Sequence, residues 1–269
     1  MLEQFLHKRI VRQHFPFLLL LSTFYVLVAY GVQQVFFPDQ GLATVLLATI
    51  ILVPSLHHLI IVEETIERSG SKQFIAKHKT VIRSYLGAFL GLLAGFLILG
   101  FLDHTFLSYQ HYQLQLEHLK PELITNFVND YQPTIDSALA LFTHNLQYLL
   151  VGLLISIAYG AGSIFLLAYN ASFFAAFVLE LHIRFADTAW SLGLVSLGHL
   201  LPESAGFILT AIAGATFSRA LIKEKIGSQP FRNVLQNCIL LVFIGVVLVF
   251  AAAFIEAYVT APAFQIMLR

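Results

Sequence analysis

From Phe15 to Phe37 the chain runs without a charged side chain, and comparable apolar runs recur almost to its C-terminal end. Runs of this length suit an α-helix, which needs ~20 apolar residues to cross ~30 Å of hydrocarbon. In hydrocarbon only helices and closed barrels satisfy their own backbone hydrogen bonds. Composition agrees, with 58% hydrophobic and 11% charged residues against roughly 25% charged in a soluble domain. The expected fold is an all-α, polytopic transmembrane helical bundle of about seven spans. Residues 1–269 form a single integral membrane domain, with no separate soluble domain.

The spans expected from the runs are Phe15–Phe37, Leu42–Val62 (with Pro54 inside), Val81–Leu102 and Asn145–Tyr169. A short apolar piece, Ala171–Leu181, follows, then a long run from Thr188 to Ala220, and finally Val234–Ala257. The first run lacks a small-residue cleavage site and reads as a retained span. The long run exceeds one straight crossing, and Pro202 in its middle lacks a backbone donor. A broken or re-entrant helix is therefore expected around Pro202, with three crossings between Asn145 and Ala220. In the third span Gly87, Gly91 and Gly95 recur at four-residue spacing. They form a smooth strip on which another helix backbone can pack closely.

Orientation follows from charge. Lys8, Arg9, Arg12, Arg68, Lys72, Lys77, Lys79, Arg83, Arg219, Lys223, Lys225 and Arg232 fall on one side, and Lys120, Arg184 and Arg269 on the other. The positive-inside rule puts the N-terminus in the cytoplasm and, with seven spans, the C-terminus outside a cell membrane. Residues 103–144 form an outside loop, acidic and tyrosine-bearing, in which Thr105–Leu119 suits a helix lying on the bilayer. Net charge is zero, so nucleic-acid binding has no electrostatic support. The expected partners are the lipid bilayer, membrane or extracytoplasmic proteins, and further copies of the chain. Cys238 has no second cysteine to pair with.

Ionisable or polar residues inside apolar runs mark sites, because burying them in lipid is costly. His199 and Glu203 lie four apart and share a face of any continuous helix. They point either to a site for a metal, proton or headgroup, or to a packing pair in which each satisfies the other. Glu180 and His182 end the short piece and could approach them. Asn145, Asn170 and Glu256 complete the set of intramembrane polar candidates, although Glu256 reads more readily as an interface residue at the outer end of its span. Zinc needs three or more protein ligands and this pair supplies two, so no cofactor is expected without a third. His57 and His58 point about 100° apart on a helix and suit the cytoplasmic interface. His104, His111 and His118 recur every seven residues, about 10 Å apart along a helix, too far to share an ion. No phosphate loop, nucleophile elbow or cysteine-pair motif occurs, and Ser191 and Ser196 have no triad, so no catalytic residues are assigned.

Several motifs from Asn145 onward form a recognisable set. They are Asn145 itself, Tyr159-Gly160-Ala161-Gly162-Ser163 with Asn170, Gly198-His199-Leu200-Leu201-Pro202-Glu203, Ala211 to Gly214, and Ala251 to Tyr258 followed by Pro262. This C-terminal half resembles the stage II sporulation protein M family of integral membrane proteins. The family pattern has glycine after the histidine and proline after the glutamate. Here Leu200 replaces the glycine and Pro202 precedes Glu203, so the local backbone is expected to differ. The N-terminal part, with Glu63, Glu64 and His78, is similar to the longer, archaeal-type members. The resemblance implies a multi-pass membrane protein. Its namesake acts in engulfment during sporulation as a membrane partner of cell-wall hydrolases, a role that requires a sporulating host this sequence does not reveal. A non-enzymatic scaffold or anchor for partner proteins is the leading expectation. A small-solute or ion transporter or channel using His199 and Glu203 is the alternative, and an intramembrane metal-dependent enzyme the second.

Overall fold

The computed structural model describes residues 15–38, 40–68, 74–102, 132–160 and 162–268, with side-chain surroundings outside 57–80 and 184. The described residues are α-helical with short turns and no strand. The helices are α1 (Phe15–Phe36), α2 (Gly41–Arg68), α3 (Phe74–Leu102), α4 (Ile135–Ala158), α5 (Gly162–Arg184), α6 (Ala189–Lys223) and α7 (Gln229–Ile255). A π-helical turn, Glu256–Thr260, then leads into α8 (Ala261–Leu268). Six stretches are long and apolar enough to cross a membrane, and the apolar part of α2, Gly41–Leu56, is a shorter seventh. This is a polytopic membrane bundle.

Contacts between helices define two ends. At one, Arg83 lies over the Phe15 ring at 5.8 Å, and a Cβ on Gly160 would meet Ser218 Oγ at 3.9 Å. At the other, Phe101 meets His182 edge-on at 5.4 Å and Phe142 meets Phe250 at 5.2 Å. Successive helices α1 to α7 therefore alternate in direction. The innermost are α3, α5 and α6, each with more than half of its apolar window buried (56%, 61% and 61%).

Four boundaries differ most from the sequence expectation. The fourth span begins at Ile135, where Thr134 caps the helix by accepting a hydrogen bond from Ser137 N, so residues 135–144 are helix rather than outside loop. That span ends at Ala158 and not Tyr169, because the chain turns through Tyr159–Gly160. The piece expected over Ala171–Leu181 is the second half of a full helix, α5. The last apolar stretch continues beyond Ala257 to Leu268. Three helices, α4 to α6, occupy the stretch from Ile135 to Lys223, so the number of crossings stands with shifted limits. The interfacial helix expected over Thr105–Leu119, and His104, His111 and His118 with it, lie outside the described residues. So do the side chains of His57 and His58 on α2.

The expected break at Pro202 is absent: α6 is one continuous 35-residue helix with Pro202 inside. Proline removes one backbone bond, to the Gly198 carbonyl, and costs about 3 kcal/mol in an isolated helix. Packing of α6 against α4, α5 and α7 outweighs that local preference. At 1.5 Å per residue α6 is about 52 Å long, well beyond the ~30 Å hydrocarbon thickness.

Glycines set the closest approaches. The Gly87, Gly91, Gly95 strip of α3 faces α1, where added Cβ atoms would meet Phe15, the Leu19 backbone and Val26 respectively. Thr23 Oγ1 completes the contact by donating toward the Gly91 carbonyl at 2.9 Å and that of Leu19 at 3.0 Å. Between α6 and α7, a Cβ on Gly206 would lie 2.7 Å from the Gly245 carbonyl oxygen, and one on Gly245 2.9 Å from that of Gly206. Between α4 and α6, Ser156 donates to the Ala211 carbonyl at 3.0 Å and a Cβ on Gly214 would strike the same serine.

Gly91→Ala should accordingly lower the melting temperature in detergent by several degrees, because the Leu19 backbone cannot move aside as a side chain can. Gly31→Ala, with nothing within 4 Å of its new Cβ, should leave melting unchanged or raise it slightly. Equal melting of the two variants would show that α1 and α3 do not meet at this strip.

Candidate functional site

Because α6 does not break, His199 and Glu203 do share one face. His199 is about 15 Å along the axis from Ala189, and Glu203 one turn deeper. The Gly206–Gly245 contact fixes the register of α7 against α6 and carries Ile255 to the level of Gly198, where a Cβ would meet its side chain at 3.6 Å. Glu256 is the next residue. One ligand-type atom each from His199, Glu203 and Glu256 lie within 4.8 Å of one another. His199 is buried and the two glutamates are half-buried.

The π-helical turn supplies the fourth member. Ala261 N donates to the Glu256 carbonyl, one residue further than in an α-helix. Pro262, in the first turn of α8, has no N–H to return to the preceding turn, and the ladder slips just before it. The widened turn presents Glu256 and Thr260 to the same face of α6. Thr260 Oγ1 lies 3.0 Å from His199 Nδ1, so one ring nitrogen is engaged and Nε2 remains for another ligand. Single π-turns of this kind recur at functional sites.

The other candidates sit elsewhere. Glu180 is buried near the end of α5 and lies outside the His199, Glu203 and Glu256 group. His182 is exposed at the edge of Phe101. Asn170 lines a small, mostly apolar pocket with Phe89, Ile208 and Ser204, the residue after Glu203. Asn145 is half-buried midway along α4 and does not open a span. Ser196 spends its hydroxyl on the Leu192 carbonyl at 2.8 Å.

The sequence reading counted Glu256 among the intramembrane polar candidates while favouring the interface for it, and it overlooked Thr260. The usable signals were the apolar run persisting to Leu268, which places Glu256 inside a span, and Pro262 behind it.

Two buried-side carboxylates and an oriented imidazole can bind a cation, share a proton, or polarise a bound water. Fold and site together define a multi-pass helical membrane protein with a polar cluster held inside the bundle between its two longest helical stretches. The family model of stage II sporulation protein M matches residues 82–261, and the chain belongs to that family. The match starts within α3, further toward the N-terminus than the motifs from Asn145 onward, and includes all four residues of the cluster. No curated protein and no solved structure matches the chain.

A double-mutant cycle tests the hydrogen bond at the centre of this arrangement. His199→Ala and Thr260→Val should show a coupling of about 0.6–1.5 kcal/mol in detergent unfolding, the range for interhelical hydrogen bonds in membranes. Strict additivity would mean that the two side chains do not meet.

Proposed function

We propose that the protein is a non-enzymatic scaffold of a cell membrane, anchoring partner proteins on a rigid post. The observation that carries this reading is the antiparallel pair formed by α6 and the stretch from Gln229 to Leu268. Both are longer than the bilayer core is thick, and they are locked to one another where Gly206 meets Gly245. A scaffold needs an element that projects from lipid without bending. The turn joining α6 to α7 is tightly made, with Gly227 at φ 85° and Ser228 capping α7 by accepting from Phe231 N. Ile222 and Ile226, beside Lys223 and Lys225, are 79% and 74% exposed there. Apolar side chains flanked by positive charge offer a partner both contact area and orientation.

The positive-inside rule places this turn in the cytoplasm together with the N-terminus, and the α5–α6 turn outside. In a Cys238→Ser background, Ile226→Cys should react with an impermeant thiol reagent only from the cytoplasmic side, and Asp187→Cys only from outside. The reverse pattern would overturn the orientation.

A photo-crosslinking residue at position 226 should yield one discrete protein adduct in cells, lost when Ile222 is replaced by aspartate. The cluster of His199, Glu203 and Glu256 favours a second reading, ion or small-solute transport, since intrabundle ionisable groups beside an irregular helix suit such sites. Solute flux in sealed proteoliposomes that vanishes with Glu203→Gln, without any adduct at position 226, would replace the scaffold by the transporter.

A further inference from the structure

We propose that His199, Glu203 and Glu256 bind one divalent transition-metal cation of the zinc class, with Thr260 orienting the imidazole. The site is independent of the scaffold reading, since it depends only on the four side chains and the register of α6 against α7.

Three donors converge from two helices within 4.8 Å, and three protein ligands plus one exchangeable position is the arrangement of zinc sites that keep an open coordination place. Charge points the same way. With both carboxylates ionised and the imidazole neutral, the ligand set would carry a net charge of −2, which a divalent cation cancels, whereas uncompensated carboxylates are costly in an apolar interior. The protein's own cations are far along the chain. No lysine or arginine lies between Ala189 and Ser218, between Asn233 and Leu268, or between Ile135 and Ile183, so the spans of α4 to α7 bring none to the level of the cluster. The imidazole selects the metal class, because nitrogen ligands suit zinc and its neighbours while calcium and magnesium prefer all-oxygen sites.

His199 supplies a separate indication. Its side chain is buried, with only 6% of the residue exposed, and Nδ1 is held by Thr260 Oγ1 at 3.0 Å. A metal-binding histidine characteristically uses one nitrogen for the ion and the other for an outer hydrogen bond that fixes its tautomer and ring plane. Glu256 and Thr260, four residues apart at the two ends of the π-helical turn, share one face of it and take these two roles.

The test uses the full chain in detergent, stripped with chelator and dialysed against zinc, with bound metal measured by mass spectrometry and stability by thermal melting. About one zinc per chain is expected, with a higher melting temperature than the stripped protein. Glu203→Gln and Glu256→Gln should each lose most of the bound zinc and the metal-dependent rise in melting. Thr260→Val, which removes no ligand, should weaken affinity about 10-fold or more. X-ray absorption of the zinc form should show mixed imidazole nitrogen and oxygen ligation, a readout that survives if a glutamine variant fails to fold. Zinc bound no better by the wild type than by the Glu203→Gln, Glu256→Gln double variant would overturn the proposal. So would preference for calcium or magnesium, or an absorption spectrum lacking imidazole. Glutamine variants more stable than the wild type in the presence of zinc would mean that the carboxylates share a proton instead.

Discussion

The contact between Gly206 and Gly245 sets the geometry on which the rest of the molecule depends. Lipid tails are as apolar as leucine side chains, so helices in a bilayer gain little from burying greasy faces and associate through close packing and polar contacts. Two glycines at one level let the backbones of α6 and α7 approach until the carbonyl of each would obstruct a Cβ on the other. That contact sets the register of the two longest helical stretches. It also sets which residue of α7 comes level with His199. Gly91 against Leu19 and Gly214 against Ser156 repeat the device, each reinforced by a hydroxyl bonding a carbonyl at or near the contact.

Polar groups inside such a bundle are tolerated where the packing gives them partners. Thr23, Ser156 and Ser204 return their hydroxyls to backbone carbonyls, the last to Leu200 at 2.6 Å, and these cost little. Glu203 and Glu256 are different, since an ionised carboxylate has no proton to offer a carbonyl and the two share one site. Their position beside His199, about 15 Å from the end of α6, gives the bundle a chemical feature that anchoring in lipid does not require. The π-helical turn contributes to the same place. An irregular turn inside an apolar stretch gives up regular hydrogen bonds, and here it aligns Glu256 and Thr260 on one side.

How far the sequence could be read depended on whether the relevant physics was local. Hydrophobicity is local, so the limits of α1, the C-terminal end of α3 and the bundle class follow from the apolar runs. The strip of Gly87, Gly91 and Gly95 is likewise visible as spacing. The turn at Tyr159–Gly160 was hidden because apolar residues continue on both sides, although the glycines there marked it. Pro202 misled in the opposite direction, since its local preference for a break was overridden by helices packed around it. Glu256 read as an interface residue because a span of ordinary length would have ended beside it.

By itself, the sequence determined that the chain is a helical membrane protein, since a backbone in hydrocarbon must bond to itself and the apolar runs leave it no other medium. It also set His199 and Glu203 about one turn apart on any continuous helix, and the packing that carries α6 unbroken through Pro202 brings them onto one face. The tertiary structure alone decided that Glu256 and Thr260 join them. That choice depends on where Gly206 meets Gly245, and contact between residues so far apart in the chain is set by the fit of whole helices, which no local pattern encodes.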